Sequence, residues 1–509
     1  MSDYGVDVLL GHSNFVAYDP KQLKKMRPYA PLATLYAAGF LRSLGYSVAL
    51  FDAMLAQGEA EFVEAVRRHR PRWVALYEDN FNFLTKMCLS RMREAACAMA
   101  KEASAAGATV IAAGPDVTDH PELYFPHGVQ FALLGEPDHS LRELLDALSG
   151  RVPRPLDEIP GISVADPGAR SGVRRTAKRA PERHPDRFPF PAWDLLDVER
   201  YRTAWTRAHG YYSVNMVTTR GCPYHCNWCA KPIWGQRYAM RTPADVAEEL
   251  ALVKRLVRPD HVWFADDIFG LRPQWVTAFA REVAHRDAAV PFMIQSRVDL
   301  MTDEAVAGLA QAGCAEVWLG AESGSQKILD AMEKGTEVAA IGAARARLKA
   351  AGIRACFFIQ FGYPGETLED IMATVRLVRE TLPDDIGVSV SYPLPGTRFH
   401  ETVRLQLGDK SNWVDSDDLA MMFHGTYESP FYRHLHRLLH QDLVLRRRLI
   451  DRRAGEGASP EGTREELDRL NTGWFELGRL EATFRSAAPT RVPLPQLERP
   501  APDLSKEWN

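Results

Sequence analysis

The sequence lacks the features by which proteins enter or cross membranes. No stretch approaches the roughly 18 consecutive apolar residues that a transmembrane helix requires. The segment Met1–Leu10 contains two aspartates and no basic region followed by an apolar core, so it does not resemble a secretory signal peptide. We therefore expect a cytoplasmic protein that makes no membrane contact.

An excess of charge of either sign is also missing. The chain has 62 Lys and Arg residues against 66 Asp and Glu residues, which gives a net charge of −4. This balance offers no general attraction to nucleic acids or anionic membranes. The local basic excess in Arg170–Arg187 has no interleaved aromatic residues that could stack on bases. We expect no nucleic acid among the partners.

Cysteine is scarce, with seven residues in a chain of 509, and three of the seven are clustered. This distribution does not suit a disulfide framework and is typical of metal ligation in a reducing compartment. The other four cysteines have apolar or small neighbours. We predict that these four are buried thiols: Cys88, Cys97, Cys314 and Cys356.

The clustered cysteines lie in Gly221–Lys231, which has the sequence Gly-Cys-Pro-Tyr-His-Cys-Asn-Trp-Cys-Ala-Lys. An apolar, β-prone run, Val214–Thr219, precedes it, and Gly221 and Pro223 favour a loop. Three thiolates on one loop can bind three irons of a cubane cluster and leave the fourth iron open to a small molecule. A structural zinc site with His225 as its fourth ligand is the alternative, although zinc ligands usually come from two separated segments.

The pattern C-x3-C-x2-C formed by Cys222, Cys226 and Cys229, with Trp228 just before the last cysteine, resembles the radical S-adenosylmethionine (SAM) superfamily. The resemblance implies that the three cysteines bind a [4Fe–4S] cluster whose open iron takes the amino and carboxylate groups of SAM. It also implies that the reduced cluster cleaves SAM to methionine and a 5′-deoxyadenosyl radical. That radical would remove a hydrogen atom from an unactivated carbon.

Residues 1–149 alternate between apolar runs and helical patterns at the spacing of βαβ units. This alternation predicts an α/β domain with a doubly wound parallel sheet covered on both faces. The predicted strands are Val6–Leu10, Ser47–Phe51, Trp73–Tyr77, Thr109–Ala113 and Phe131–Leu134. The predicted helices are Pro31–Leu44, Ala60–His69, Met87–Ala106 and Ser140–Leu148.

Ligands of such a sheet bind beyond the carboxyl ends of its strands. No G-x-G-x-x-G fingerprint or phosphate loop is found there, so a nucleotide is not indicated. The position before a radical SAM core, with Tyr29–Ala33 and Gly135-Glu136, resembles the flavodoxin-like cobalamin-binding domain of cobalamin-dependent radical SAM enzymes. The residues that this resemblance places at cobalamin are Gly11, His12, Ser13, Asn14, Glu78, Asp79, Asn80, Gly114, Pro115, Asp116, Gly135 and Glu136.

The D-x-H-x-x-G motif of cobalamin mutases is absent, and His12, His120 and His139 do not stand in it. The resemblance therefore implies a cobalamin with its own base displaced and no protein histidine on cobalt. A degenerate flavodoxin-like domain that serves only as a docking module is the alternative.

Residues 150–210 separate two α/β regions. Gly150–Arg187 is rich in Pro, Arg and Gly and has little periodicity, which predicts a partly ordered linker. Phe188–Trp193 and Trp205–Tyr212 contain aromatic residues again, and we expect them to pack against the domain that follows.

Residues 211–397 alternate between strands and helices a second time, and six such units resemble the partial (β/α)6 barrel of radical SAM enzymes. The predicted strands are Val214–Thr219, His261–Ala265, Phe292–Ser296, Glu316–Gly320, Ala355–Phe361 and Gly387–Ser391. The predicted helices are Pro243–Leu256, Gln274–Arg286, Asp303–Ala312, Ser325–Met332, Val338–Ala351 and Leu368–Thr381. Functional residues of such barrels lie at the carboxyl ends of the strands.

Polar residues follow five successive strands of the predicted barrel. The residues that the resemblance places at SAM are Asp266 and Asp267 at the amino group, Gln295 at the third strand end, Arg297 at the carboxylate, Glu322 and Ser323 at the ribose and carboxylate, and Gly362 and Gly365 beside the adenine. Other members carry glycines where this chain has Ala265-Asp266-Asp267. Helix capping by Asp266 or Glu322 and a turn at Gly362 are the alternatives.

Residues 398–509 form a mainly helical C-terminal region. Helices are predicted over Phe431–Arg453 and Arg464–Phe484, and the prolines of Pro489–Asn509 predict an extended tail. The resemblance implies that this region closes the barrel mouth and contributes to the substrate pocket. Ordinary helix packing would need the same aromatic residues.

The chain thus resembles a cobalamin-dependent radical SAM enzyme over nearly its whole length. The function this implies is transfer of a methyl group, carried by cobalamin from a second SAM, to carbon or phosphorus of a small molecule. One alternative uses the same cofactors without methyl transfer, as in the oxidative ring formation of the anaerobic porphyrin-ester cyclase. Another alternative is a non-catalytic cobalamin sensor. The expected partners are a small-molecule substrate and an electron donor such as flavodoxin or ferredoxin.

Overall fold

The computed structural model describes residues 4–87, 89–229, 233–408, 412–416, 419–453, 460–479 and 481–486. Cys88, Lys231 and the predicted tail Pro489–Asn509 lie outside the described residues. Two mainly parallel sheets form the framework, one in the first part of the chain and one in the second.

The first sheet contains seven strands, in the spatial order β2-β1-β3-β4-β5-β6-β7. The first five are parallel, and their order 2-1-3-4-5 is that of flavodoxin-like folds, as predicted. The strands are β1 (Val6–Gly11), β2 (Val48–Phe51), β3 (Pro71–Tyr77), β4 (Thr109–Ala113), β5 (Val129–Leu133), β6 (Ile162–Ala165) and β7 (Val173–Arg175). The helices are α1 (Pro20–Lys25), α2 (Leu32–Ser43), α3 (Glu59–His69), α4 (Phe83–Lys86), α5 (Ser90–Ala105), α6 (Pro115–Asp119) and α7 (Asp138–Ser149).

Both faces of this sheet are buried, which explains why its central strands are apolar without alternation. In β3, Trp73 and Tyr77 pack on the side of α2 and α7, whereas Val74 and Leu76 pack on the side of α3 and α5. A strand covered by helices on both sides needs apolar residues at every position. The carboxyl edge is then the place where this sheet can present polar groups.

Part of the segment that the sequence predicts as a linker belongs to the first sheet. Strands β6 and β7 form an antiparallel hairpin that pairs with β5 through Ala132 opposite Ser163 and Leu133 opposite Ile162. Only Ile162, Ser163 and Val173 of the two strands are buried, so the hairpin has little of the hydrophobic pattern by which strands are predicted.

The second sheet contains six parallel strands that neighbour one another in chain order, which confirms the predicted partial barrel. An antiparallel pair, β9 and β10, is inserted after its first strand. The strands are β8 (Ser213–Met216), β9 (Thr219–Gly221), β10 (Tyr238–Met240), β11 (His261–Phe264), β12 (Phe292–Ser296), β13 (Cys314–Glu322), β14 (Arg354–Phe361) and β15 (Ile386–Val390). The helices are α8 (Val198–His209), α9 (Pro243–Leu256), α10 (Pro273–His285), α11 (Asp303–Ala312), α12 (Gln326–Ala331), α13 (Val338–Ala350), α14 (Leu368–Thr381) and α15 (Arg398–Val403).

The C-terminal region is helical, as predicted, with α16 (Ser429–Arg453), α17 (Pro460–Arg479) and α18 (Glu481–Phe484). Helix α16 is joined to the barrel by an ion pair in which Arg379 Nε donates to Asp442 Oδ2 at 2.7 Å. None of the described helices is long and apolar enough to cross a membrane.

Candidate active site

The three clustered cysteines lie on one loop, residues 222–229, between β9 and β10 at the carboxyl end of β8. We call this segment the cysteine loop. Gly221, the last residue of β9, precedes the loop with a left-handed φ of +81°, and a Cβ there would lie 2.3 Å from the carbonyl oxygen of Arg237. Only glycine fits this position without moving the backbone of the opposite strand. Cys222, Cys226 and Cys229 are all half-buried.

Asn227 anchors the cysteine loop to the barrel, a role that the sequence did not reveal. Its backbone N–H donates to the carbonyl of Met332 at 3.1 Å, and its Nδ2 donates to the carbonyl of Ala331 at 2.8 Å. Its Oδ1 accepts from the hydroxyl of Tyr363 at 2.9 Å. The polar groups of this buried side chain are therefore satisfied by elements about a hundred residues further along the chain.

Two buried cations stand beside Cys226. Arg297 Nη1 lies 4.0 Å from Cys226 Sγ, and the guanidinium carbon lies 3.8 Å from the ring centre of Tyr224. The ammonium of Lys334 is also close enough to interact electrostatically with Cys226. A cluster bound by three thiolates carries negative charge, so these cations fit the cluster that the motif implies.

The three thiols fit the cubane cluster that the motif implies. Among the described residues, no group of three His, Cys, Asp or Glu side chains is placed to hold one metal ion together. Each cysteine of a cubane binds a different iron, so its three thiols do not need to converge on one point.

Lys334 forms a buried ion pair with Glu322, and it too was missed by the sequence analysis. Lys334 Nζ lies 2.7 Å from Glu322 Oε1. A Cβ on Gly320 would lie 2.5 Å from Lys334 Nζ, so this glycine makes room for the pair. Burial alone would lower the pKa of the Lys334 ammonium, but Glu322 and Cys226 raise it above its ordinary value.

Glu322 itself occupies a strained position at the end of β13. Its φ is +59°, which is unusual for a residue with a side chain, and the pairing of β13 with β14 shifts register between Gly320 and Glu322. Such strain and irregular pairing are concentrated at functional sites. The role of Glu322 in binding SAM stays a prediction.

Other residues predicted at SAM have partners within the protein. Asp266 is buried, and its Oδ1 accepts the backbone N–H groups of Thr218 and Thr219 at 2.7 and 2.8 Å. It thus holds the connection from β8 to β9, and burial raises its pKa to about 6. Asp267 is exposed and lies 2.5 Å from Lys86 of the first domain.

Arg297 and Ser323 also have structural partners. Arg297 donates to Asp299 at 2.9 Å and to the carbonyl of Lys334 at 2.8 Å. Ser323 is fully buried against Thr374 of α14, with 3.1 Å between the two hydroxyl oxygens. Gln295 is half-buried near the end of β12. The contacts of all these residues with SAM stay predictions.

The turn after β14 contains Gly362 and Gly365, with φ values of +79° and +81°. Gly362 lies against Met421 and Tyr432, because a Cβ there would be 2.9 Å from the sulfur and 3.2 Å from the tyrosine ring. Its N–H donates to Glu366 Oε2 at 2.7 Å. Burial raises the pKa of Glu366 to about 8, so this carboxyl is protonated at neutral pH.

Glu366 should make the stability of the protein depend on pH. The unfolded state loses the proton first, so the free energy of unfolding should fall as pH rises, by up to about 1.4 kcal/mol per pH unit, until the folded-state pKa of about 8 is reached. Glu366→Gln keeps an acceptor for the N–H of Gly362 and removes the ionisation. We expect urea unfolding to show the variant increasingly more stable than the wild type between about pH 5 and pH 8. The exposed Glu369→Gln on α14 is the control, and equal slopes for both variants would contradict the assignment.

Residues predicted at cobalamin occupy the carboxyl edge of the first sheet, where several bind one another. His12 Nε2 lies 2.9 Å from Asp52 Oδ1, and His12 Nδ1 accepts the N–H of Asn14 at 3.3 Å. Glu78 accepts the N–H of Ser13 at 2.9 Å. With both nitrogens engaged, His12 is not poised to bind a metal, although the absence of a histidine ligand on cobalt stays a prediction.

Two further carboxylates at this edge have structural roles. Asp79 accepts the N–H groups of Leu32 and Ala33 at 3.3 and 3.2 Å, which caps the first turn of α2. Asp116, which follows Gly114 and Pro115, accepts from Arg93 Nε and from the hydroxyl of Tyr124, both at 2.6 Å.

Polar atoms of this edge remain available to a ligand. Within the described part of the chain, Asn80 Oδ1 and Thr85 Oγ1 are buried and have no hydrogen-bond partner. An unpaired buried acceptor costs free energy, and an amide of the corrin ring could supply the missing donor. The chemistry of this edge therefore fits the cobalamin that the resemblance implies.

Gly135 and Glu136, at the end of β5, connect this edge to the cysteine loop. Glu136 accepts from Arg220 and, at 3.2 Å, from Trp234 Nε1. Arg220 also donates to Asp138 at 3.2 Å, and the ring of Phe81 stacks on Trp234 with centres 5.3 Å apart. Arg220 precedes Cys222 by two positions and Trp234 follows Cys229 by five. The carboxyl edges of both sheets therefore meet at the cysteine loop.

Comparison with known proteins supports this arrangement. Residues 216–378 match the family model of the radical SAM superfamily. An uncharacterised methyltransferase from Pyrococcus horikoshii is 29% identical over 296 residues, which cover 57% of this chain and 62% of the relative. The anaerobic magnesium-protoporphyrin IX monomethyl ester cyclase of Rubrivivax gelatinosus is 29% identical over 237 residues, which cover 44% of this chain and 40% of the relative. The chain thus spans less than two thirds of either relative.

Solved structures share the fold over a larger part of the chain. The radical SAM methyltransferase TsrM from Kitasatospora setae, with cobalamin and a [4Fe–4S] cluster bound, has a TM-score of 0.64 at 21% identity and covers 79% of both chains. The cobalamin-dependent radical enzyme OxsB, with aqua-cobalamin and SAM bound, has a TM-score of 0.67 at 16% identity and covers 94% of this chain and 72% of its own.

The residues that match the family model, 216–378, include the cysteine loop. A radical SAM domain implies a [4Fe–4S] cluster and SAM as cofactors. Residues 216–378 are therefore similar to the radical SAM domain, and the chain shares the fold of cobalamin-dependent radical SAM enzymes of known structure.

Proposed function

We propose that this chain is a cobalamin-dependent radical SAM methyltransferase that methylates an unactivated carbon, or phosphorus, of a small molecule. When bound, the cluster and SAM would supply the radical that activates the substrate, and cobalamin would supply the methyl group. Cys222, Cys226 and Cys229 would hold the cluster, and the carboxyl edge of the first sheet would hold cobalamin. The similarity to a methyltransferase from Pyrococcus horikoshii and the fold shared with the methyltransferase TsrM support this reaction.

The observation that carries the proposal is the contact of Glu136 with Arg220 and Trp234. This contact joins the sheet edge that we predict to bind cobalamin to residues on both sides of the cysteine loop. All of the groups in the contact are buried. Methyl transfer to a substrate radical requires both reactive centres to lie close to one substrate. If this edge of the first sheet faced away from the barrel, cobalamin bound there could not reach a substrate radical in the barrel.

A C-terminal segment links the barrel to the first domain. The ring centres of Trp413 and Tyr392, which follows β15, are 4.3 Å apart. The carbonyl of Trp413 accepts the N–H of Ser90 in the first domain at 3.0 Å, and the N–H of Ser416 donates to Asp19 at 2.9 Å. Residues 412–416 thus connect the end of the barrel sheet to the first domain. We propose that this segment also helps to exclude water from the reactive radical.

The mass of the product tests the proposal. Anaerobically reconstituted protein would be given cobalamin, a reductant, candidate metabolites and SAM with a trideuterated methyl group. We expect 5′-deoxyadenosine together with a product that has exchanged one hydrogen for a trideuterated methyl group. A product that has lost hydrogens or gained oxygen would instead indicate oxidative cyclisation. Absence of SAM cleavage in the reconstituted protein would indicate a cobalamin sensor.

A further inference from the structure

Arg297, which directly follows β12, is only 6% exposed and has an acceptor for each of its five N–H donors. Nε and Nη2 donate to the two carboxylate oxygens of Asp299 at 2.9 and 3.2 Å. Nη1 donates to the carbonyl of Lys334 at 2.8 Å, and Nη2 donates to the carbonyl of Gly335 at 3.4 Å. The fifth donor, on Nη1, points to Cys226 Sγ at 4.0 Å. The guanidinium thus ties the cysteine loop to the rest of the barrel.

The orientation of this guanidinium is fixed from two sides. Its carbon lies 3.8 Å from the ring centre of Tyr224, which belongs to the cysteine loop. A guanidinium that stacks on an aromatic ring and binds a carboxylate through two nitrogens has little freedom to turn. Asp299 is exposed, so water weakens the field of its charge, whereas Arg297 is buried beside the sulfur. The positive charge therefore acts on Cys226 at close range.

We propose that Arg297 is a positioning residue for the iron–sulfur cluster and raises its reduction potential through the contact with Cys226 Sγ. This inference rests on the proposed function, in which Cys222, Cys226 and Cys229 hold the cluster. It differs from the role that the resemblance implies for Arg297, which is contact with the SAM carboxylate. The redox step concerned is the gain of one electron from a chemical reductant, and no bond is made or broken in it.

The direction of the effect follows from charge. Reduction adds one electron, and part of the added negative charge lies on the thiolate sulfurs. A buried cation that donates to one of these sulfurs stabilises the reduced form more than the oxidised form. Hydrogen bonds to the sulfurs are among the factors that set the potentials of iron–sulfur clusters. Loss of the Arg297 donor should therefore make the cluster harder to reduce.

The test is the midpoint potential of the reconstituted full-length protein, followed by electron paramagnetic resonance in a redox titration without SAM. Arg297→Gln should lower the equilibrium constant for one-electron reduction about tenfold, which is a fall of about 59 mV in the potential. Arg297→Lys keeps the positive charge without the planar fork of donors and should give a smaller fall. The lysine variant also decides the question if the glutamine variant does not fold.

Affinity for SAM separates this role from direct binding of SAM. Equilibrium dialysis with the oxidised cluster should give the wild-type affinity for Arg297→Gln, because the donors of Arg297 are already bound within the protein. A loss of about tenfold in SAM affinity, the size expected when a charge-assisted hydrogen bond is removed, would overturn the proposal. A wild-type potential in the Arg297 variants would overturn it as well.

Arg345→Gln is the matched control. Arg345 is a buried arginine that donates to the carbonyl of Leu382 at 3.2 Å and pairs with Asp384 at 3.2 Å. These partners precede β15, at the end of the barrel opposite the cysteine loop, so the potential should match the wild type. An equal fall in this control would overturn the proposal.

The redox titration needs no substrate. Absence of a methylated product would therefore contradict the proposed function, while the potential would still decide the role of Arg297.

Discussion

Replacing Cys222, Cys226 and Cys229 together by alanine should abolish reductive cleavage of SAM and leave the fold intact. The thiols are half-buried on a loop that Asn227 holds through bonds to Ala331, Met332 and Tyr363, and none of these bonds involves a cysteine side chain. Without three thiolates the loop cannot hold the cluster. Formation of 5′-deoxyadenosine, measured by mass spectrometry, should fall to background.

Iron content and circular dichroism distinguish loss of the cluster from loss of the fold in the triple variant. After anaerobic reconstitution the triple variant should contain almost no iron, whereas its circular dichroism should match that of the wild type. Cys97→Ala removes a buried thiol from α5, far along the chain from the loop, and should retain both iron and SAM cleavage. Near-stoichiometric iron in the triple variant would contradict the assignment of the three ligands.

Replacing Arg220 by methionine should have the largest effect on stability. Glu136 and Asp138 are only 2% and 5% exposed, and the substitution leaves both carboxylates without their cation. Removing one partner of a buried ion pair typically costs about 3–5 kcal/mol. The loss of the stacking of Arg220 on Phe188, at 4.2 Å, adds to this cost. Urea unfolding of the wild type and the variant measures the difference.

The loss has a direct electrostatic cause. Without Arg220 the buried carboxylates of Glu136 and Asp138 have no cation that offsets the cost of removing them from water. Adding Glu136→Gln should restore part of the stability at neutral pH.

A functional measurement separates this junction from an ordinary stabilising contact. If Arg220 and Glu136 align the two halves, the variant should form more 5′-deoxyadenosine per methylated product than the wild type. Arg42→Met breaks an ion pair between exposed residues, Arg42 and Asp194, and should cost no more than about 1 kcal/mol. Stability of the Arg220→Met variant equal to the wild type would show that the junction does not depend on this network.

The cysteine motif and the buried parallel strands were predicted correctly, because each is recognised from residues that are close together in the sequence. The spacing of Cys222, Cys226 and Cys229 and the strand before them indicated the superfamily whose family model matches residues 216–378. Runs of apolar residues located the five parallel strands of the first sheet and the six of the barrel, because strands buried by helices must be apolar along their length. Strands β6 and β7 were not predicted, because few of their residues are buried.

The sequence by itself determined the fold class and the position of the cysteine loop, because these follow from local periodicity and spacing. Only the tertiary structure decided which polar side chains surround the loop. Asn227, Lys334 and Arg220 find their partners 104, 12 and 84 residues away, so no local pattern marks them. The hydrogen bonds of Asp266 have the same physical cause. Folding brings polar groups that are distant in the sequence together, and a buried polar group is stable only when it is hydrogen-bonded.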